Sequence, residues 1–354
     1  MKRYKEIDIF RAVGIILVAL YHFWVVSGYK TTGINQLNTF LSYGGEIGVT
    51  LFFIISGMSI CVSLQKNEDY GEKITYVEFI KKRLKRIYPQ YILCIIIVLL
   101  LGDSAVYLSS VHISSLLSHF FLVHNFSLTT HGSVSGVLWT IGVIFQFYLL
   151  AMYLYKFIRK NWKVTLCVAV LITILSKYFL YNYFDLNGLN QNYYFIYGRQ
   201  IITALDNFVI GMCLGRIILN VKKTGGLLGF ITSLIGIVIW IVYITPKYTV
   251  YSNSAMGYAW HTISAILLSL CIFFSFKINW KESKVMDAIL FIGKNEYGIY
   301  LWHLLIANNL IAKSEFIQKI LNYGYWGFAI IMLLISVFVG WLSCNLHIRG
   351  EKNE

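Results

Sequence analysis

The stretch IDIFRAVGIILVALYHFWVV, Ile7–Val26, is apolar almost throughout, yet it holds Asp8, Arg11 and His22. As a helix, about 20 residues at 1.5 Å each cover the hydrocarbon core of a bilayer. The run therefore reads as a transmembrane helix, and its polar residues need a reason to be there. Composition agrees. Of 354 residues, 58% are hydrophobic and 13% charged, and the mean hydropathy is +0.66, which no ordinary soluble globule shows.

Comparable runs recur along the chain, at about 9–29, 42–64, 89–108, 136–157, 163–183, 200–219, 226–245, 256–276, 287–311 and 325–346. No linker, low-complexity segment or internal repeat separates them. The expected fold is all-α: a polytopic membrane bundle of about ten transmembrane helices, forming a single domain over residues 1–354.

Basic residues sort by loop. Lys2, Arg3 and Lys5, the run from Lys66 to Arg86, Lys156 to Lys163, Arg216 to Lys223, Lys277 to Lys284, and Arg349 with Lys352 fall on one side; Lys30, Arg199, Lys247, Lys313 and Lys319 fall on the other. Short cytoplasmic loops are enriched in Lys and Arg, so both termini are expected in the cytoplasm and the chain in the cell membrane. The net charge of +14 then reflects topology and contact with anionic lipid, not nucleic acid. The start MKRYKEID precedes an apolar run too long for a cleaved signal and reads as a retained anchor. Six cysteines stand singly inside the spans, which suits packing and gives no disulfide or metal spacing.

Arg11 and His22 are eleven residues apart, which returns them to within about 20° of one helix face, roughly 16 Å apart. Asp8 can pair with Arg11 from one turn before it. Read as structure alone, Arg11 snorkels to the interface and His22 bonds within the bundle. His303, in YGIYLWHLL, lies at a similar depth in another outward-running span and could meet His22 at one level. At the cytoplasmic mouth of the third span, FIKKRLKRIYP (Phe79–Pro89) puts Lys82, Arg83 and Arg86 together. Such a patch anchors topology, but arginine also suits bidentate phosphate binding.

The ordered set of D-x-x-R-x10-H (Asp8, Arg11, His22), GEIGVTLFFIISGMSI (Gly45–Ile60), R-x-x-R followed by IYP (Arg83, Arg86, Pro89), LWTIGVIFQFYLL (Leu138–Leu150) and GKNEYGIYLWH (Gly293–His303) resembles the acyltransferase 3 family over nearly the whole chain. The resemblance implies an integral membrane O-acyltransferase that moves an acyl group, usually acetyl, from cytoplasmic acyl-CoA to a hydroxyl of a surface glycan or its lipid-linked precursor. It implies that Arg11 and His22 are a functional pair, with Arg83 and Arg86 in the R-x-x-R role. On this reading Arg11, Lys82, Arg83 and Arg86 hold the CoA phosphates, His22 serves as base or nucleophile, His303 joins the catalytic site, and no metal is expected.

Three positions depart from the family pattern. Ile144 and Thr50 stand where an acid is frequent, and Glu296 stands where Ser commonly precedes Tyr; if the missing acid orients a catalytic group or the acceptor, Glu46 or Gln146 could take over that role. Lys177 is expected to snorkel, Ser56 to serve helix packing, and His112, His119, His124 and His131 crowd one outward connection. The rival class is a transporter of acyl groups or glycans using the same buried Arg and His.

Overall fold

The computed structural model describes residues 4–101 and 113–351, with side chains to 100 and to 345. Lys2, Arg3, Lys352, His112 and the end of the third predicted span lie outside the described residues, as does the side chain of Arg349. Among the described residues the regular elements are helices and there is no strand. They are α1 (Lys5–Val26), α2 (Asn35–Asp69), α3 (Tyr76–Leu101), α4 (Ile113–Phe120), α5 (Trp139–Leu186), α6 (Gln191–Tyr197), α7 (Leu205–Ile218), α8 (Leu227–Ile239), α9 (Ala255–Phe276), α10 (Lys284–Lys294), α11 (Glu296–Lys313), α12 (Glu315–Tyr323) and α13 (Tyr325–Glu351).

Among the described residues six helical segments are long and apolar enough to cross a membrane: α1, α2, α5, Leu227–Lys247, α9 and Tyr325–Asn345; a seventh is the pair Gln191–Tyr197 and Ile202–Ile218, bent by 76°. The difference from ten predicted runs has local causes. The fourth and fifth runs both lie in α5, which non-helical backbone at Asn161 (φ −156°, ψ 91°) kinks into two helical halves, each long enough to cross the hydrocarbon, so two runs fall within one helical segment. The third run starts midway along α3, after its basic first turns, and its end lies outside the described residues. The ninth is cut at Asn295 into α10 and α11.

In its apolar window α2 is 78% buried, against 22% for α5. This makes α2 the enclosed central helix; in α5 burial is concentrated before Asn161, and the half after it faces largely outward, as expected when apolar residues circle one helix and stripe another. Gly57 of α2 and Gly211 of α7 set the closest approach: a Cβ on Gly57 would strike the Phe208 carbonyl, and one on Gly211 the Ile54 carbonyl. Gly293 at the end of α10 similarly abuts the Asp8 carbonyl of α1. Thus α1 is held between α2 and the α10–α11 pair, so the face carrying Arg11 and His22 looks onto α11.

Candidate functional site

Two cavities lie along that face. The first, about 770 Å³, is lined by Arg11 from α1, Ser56 and Ser59 from α2, Arg83 and Arg86 from α3, Ile144 from α5 and Glu296 from α11. Arg11 Nε is 3.4 Å from Glu296 Oε2 and its Nη1 is 3.5 Å from Asp8 Oδ1. The Arg83 guanidinium lies 5.0 Å from the Phe79 ring centre and 5.7 Å from that of Tyr148. Aromatic faces hold a cation in place without neutralising it. Arg83 Nε and Ser59 Oγ are buried with no hydrogen-bond partner among the described residues. Buried polar atoms are normally satisfied, and two unsatisfied ones lining one basic cavity suit a polar, anionic ligand. Arg86 is exposed at the rim, while Lys82 is exposed and does not line the cavity. Ser56 faces this space, so the packing role expected of it falls to Gly57.

His22 and His303 meet as their depths predict, with His303 Nε2 3.1 Å from His22 Nδ1. Their protonation follows from the remaining partners. His303 Nδ1 lies 2.8 Å from the Tyr300 carbonyl, which only accepts, so Nδ1 carries the proton and Nε2 the lone pair. His22 Nδ1 lies 2.9 Å from the Val18 carbonyl and must likewise be N–H, shared with His303 Nε2. The neutral His22 ring therefore has its lone pair on Nε2, an atom with no hydrogen bond to any described residue. His303, fully buried, orients it.

His22 lines the second cavity, about 490 Å³, with Tyr21, Glu46, Trp139, Phe195 and Arg199. Arg11 and His22 share a helix face but open into different cavities: of the residues lining the two, only Tyr300 belongs to both. Arg199 pairs with Glu46, donates from Nε to Tyr251 Oη at 2.7 Å, and stacks 3.3 Å from the Phe195 ring centre. Tyr251 Oη donates to Glu46 Oε2 at 2.7 Å, and His261 Nε2 is 3.3 Å from the same oxygen. Glu46 and Thr50 are one turn apart and line a common small cavity. Glu46 therefore places a carboxylate on the same face as Thr50. Gln146 instead bonds Asn125 at 2.8 Å, away from both cavities. Lys177 does not snorkel; it is fully buried, with Nζ 3.3 Å from the Tyr258 carbonyl and from His261 Nδ1. Sequence reading missed Arg199, Tyr251 and His261 because they come from a loop and a distant helix; a charge beside an apolar run was the one available signal.

In the connection before α5, His119 and His124 stack with ring centres 3.9 Å apart, and His119 Nδ1 meets Tyr91 Oη at 2.8 Å. Among the described residues no group of three His, Cys, Asp or Glu side chains is placed to hold a metal. Burial pushes His119 down to about 3, and His124 and His131 to about 4. These folded-state values lie below the unfolded value of 6.5, so the neutral rings stabilise the fold above pH 6.5 and that stability is lost as pH falls towards 4. Thermal unfolding in detergent should accordingly show a lower midpoint at pH 5 than at pH 7.5, and His124→Gln should shrink the difference; a midpoint flat across this range would contradict the assignment.

Comparison with known proteins places this geometry. Residues 4–344 match the acyltransferase domain family, acyltransferase 3. The chain is 25% identical to an O-acetyltransferase, OatA, of Staphylococcus aureus strain NCTC 8325, over 95% of this chain and 55% of the relative. It is 24% identical to a putative O-acetyltransferase of S. aureus strain COL, over 86% of this chain and 51% of the relative. The chain thus spans about half the length of the curated relatives it matches, and no solved structure matches it. Because the family match runs through every helix that supplies Arg11, His22, Arg83, Arg86 and His303, the chain belongs to the acyltransferase 3 family.

Proposed function

We propose that this chain is a membrane O-acetyltransferase that takes an acyl group from cytoplasmic acyl-CoA and delivers it to a hydroxyl of a surface polysaccharide or its lipid-linked precursor. The observation that carries the donor is the arginine-lined cavity with its buried, unpartnered Arg83 Nε. The O-acetyltransferase names of the relatives support the acyl group and the oxygen acceptor. On this reading residues 1–354 form one domain of ten spans in the cell membrane, both termini are cytoplasmic, and Arg11, Arg83 and Arg86 hold the CoA phosphates at that face.

His22 Nε2 takes the proton of the acceptor hydroxyl as its oxygen attacks the thioester carbonyl. The C–S bond breaks, and the proton returns to the departing CoA sulfur. His303 stabilises the transient imidazolium through its Nε2 lone pair, much as the third member of a catalytic triad does. A covalent relay would use the same atom, with the acyl group first on Nε2 and then on the acceptor. Incubation with labelled acyl-CoA and no acceptor separates the two routes, because only the relay leaves label on the protein. The reading as a whole is tested by whether the purified protein consumes acyl-CoA in the presence of cell-wall or polysaccharide acceptor.

Sidedness has its own test. In the connection before α5, Asn125 is fully buried, whereas Thr129 nearby is exposed. Thr129→Cys should react with an impermeant thiol reagent on intact cells while tags at both termini stay protected; the reverse pattern would invert the topology.

A second reading, carriage of an acyl group or glycan across the membrane, draws on the division of the site into two cavities. A transporter would move label across vesicles without consuming the thioester.

A further inference from the structure

Acyl transfer as proposed needs the thioester, held in the arginine-lined cavity, to meet His22 in the neighbouring one. Tyr300 stands between them, and three features fix it there. It lines both cavities, and its ring packs edge-on against Phe52, with ring centres 5.7 Å apart. Its Oη donates to the Val137 carbonyl at 2.6 Å and shares a 2.6 Å hydrogen bond with Thr140 Oγ1. Its own carbonyl accepts the proton of His303 Nδ1.

We infer that Tyr300 is a shutter that separates the donor cavity from the His22 cavity and is held shut by the start of α5. Both anchors of its hydroxyl come from one short segment, Val137–Thr140, and that segment also forms part of the wall of the His22 cavity, together with Gly136. An acceptor seated against Gly136, Val137 and Trp139 presses on the anchors themselves, which couples arrival of the acceptor to release of the ring. The anchors lie on the phenol and the histidine contact lies on the backbone, so the ring can swing about its side-chain bonds while the carbonyl continues to hold His303. A closed shutter also keeps water and acceptor away from the thioester until both substrates are present.

This purpose rests on the acyl-transfer reading, but the barrier does not, and it can be tested without turnover. Of the six cysteines only Cys167 is exposed, so Cys167→Ser gives a quiet background. Ser56→Cys then reports on the donor cavity, and Gly136→Cys, at a position with open space around it, reports on the other. A small impermeant methanethiosulfonate applied to either face of oriented vesicles should label each probe from one face only, and from opposite faces. Tyr300→Ala should let the reagent reach Ser56→Cys from the Gly136 face as well. Tyr300→Phe, which keeps the ring and loses both anchors, should raise that labelling about 30-fold, since each net hydrogen bond is worth roughly 1 kcal/mol, and it decides the matter if the alanine variant does not fold. Ser56→Cys labelled from both faces with Tyr300 in place, or from neither variant's Gly136 face, would overturn the shutter. Loss of acyl-CoA consumption with the labelling pattern intact would instead overturn the reaction and leave the barrier standing.

Discussion

His22→Ala is expected to lower acyl transfer by about 10²–10⁴-fold, the usual effect of removing a positioned general base, while acyl-CoA binding stays close to that of the unaltered protein. The separation follows from the two cavities: His22 lines one, and the arginines that would meet the CoA phosphates line the other. His303→Ala should lose less, because Nε2 of His22 remains and only its orientation suffers. Its signature is a kcat loss with little change in KM for the donor. Both variants are to be purified in detergent, shown to be monodisperse, and compared for product formation and donor affinity. A His22→Ala protein that transfers at near full rate would move the chemistry to His303 or favour transport.

Arg83→Ala is expected to weaken acyl-CoA binding with kcat little affected. Charge-assisted hydrogen bonds contribute about 1.5–3 kcal/mol each, or roughly 10- to 150-fold in Kd. Arg86 is exposed, so Arg86→Ala should lose less, and its effect should fade with added salt, whereas that of Arg83 should persist. Lys82→Ala should be close to silent, since Lys82 does not line the cavity. Isothermal titration with CoA at low and high salt checks all three. Equal, salt-sensitive losses for Arg83 and Arg86 would reduce the patch to a surface anchor. Glu296 adds a contrast: it pairs with Arg11 at 3.4 Å, so Glu296→Gln should remove one of the carboxylates that offset Arg11 and tighten CoA binding.

Much of this site is legible before folding because membrane helices obey two simple rules. Burial of charge in lipid is costly, so Arg11, His22 and His303 stand out against apolar runs, and helical periodicity puts the first two on one face. Periodicity also carried the Asp8–Arg11 contact, which forms at 3.5 Å. It could not reach contacts between helices far apart in sequence. Lys177 shows why: alone, a lysine near a helix end snorkels, but α9 brings it His261 and a carbonyl that replace water.

By itself the sequence determined that the chain is helical, suited to a membrane, and carries the motifs of its family, because those properties depend on composition and on spacings within single helices. Only the tertiary structure decided that the Arg11–His22 stripe is divided between two cavities, that Glu46 and Arg199 both line the second, and that Tyr251 and His261 hold Glu46 from behind. Each of these depends on which helix faces which. That is set by close approaches such as Gly57 on the Phe208 carbonyl and Gly293 on the Asp8 carbonyl, where missing side chains let backbones meet.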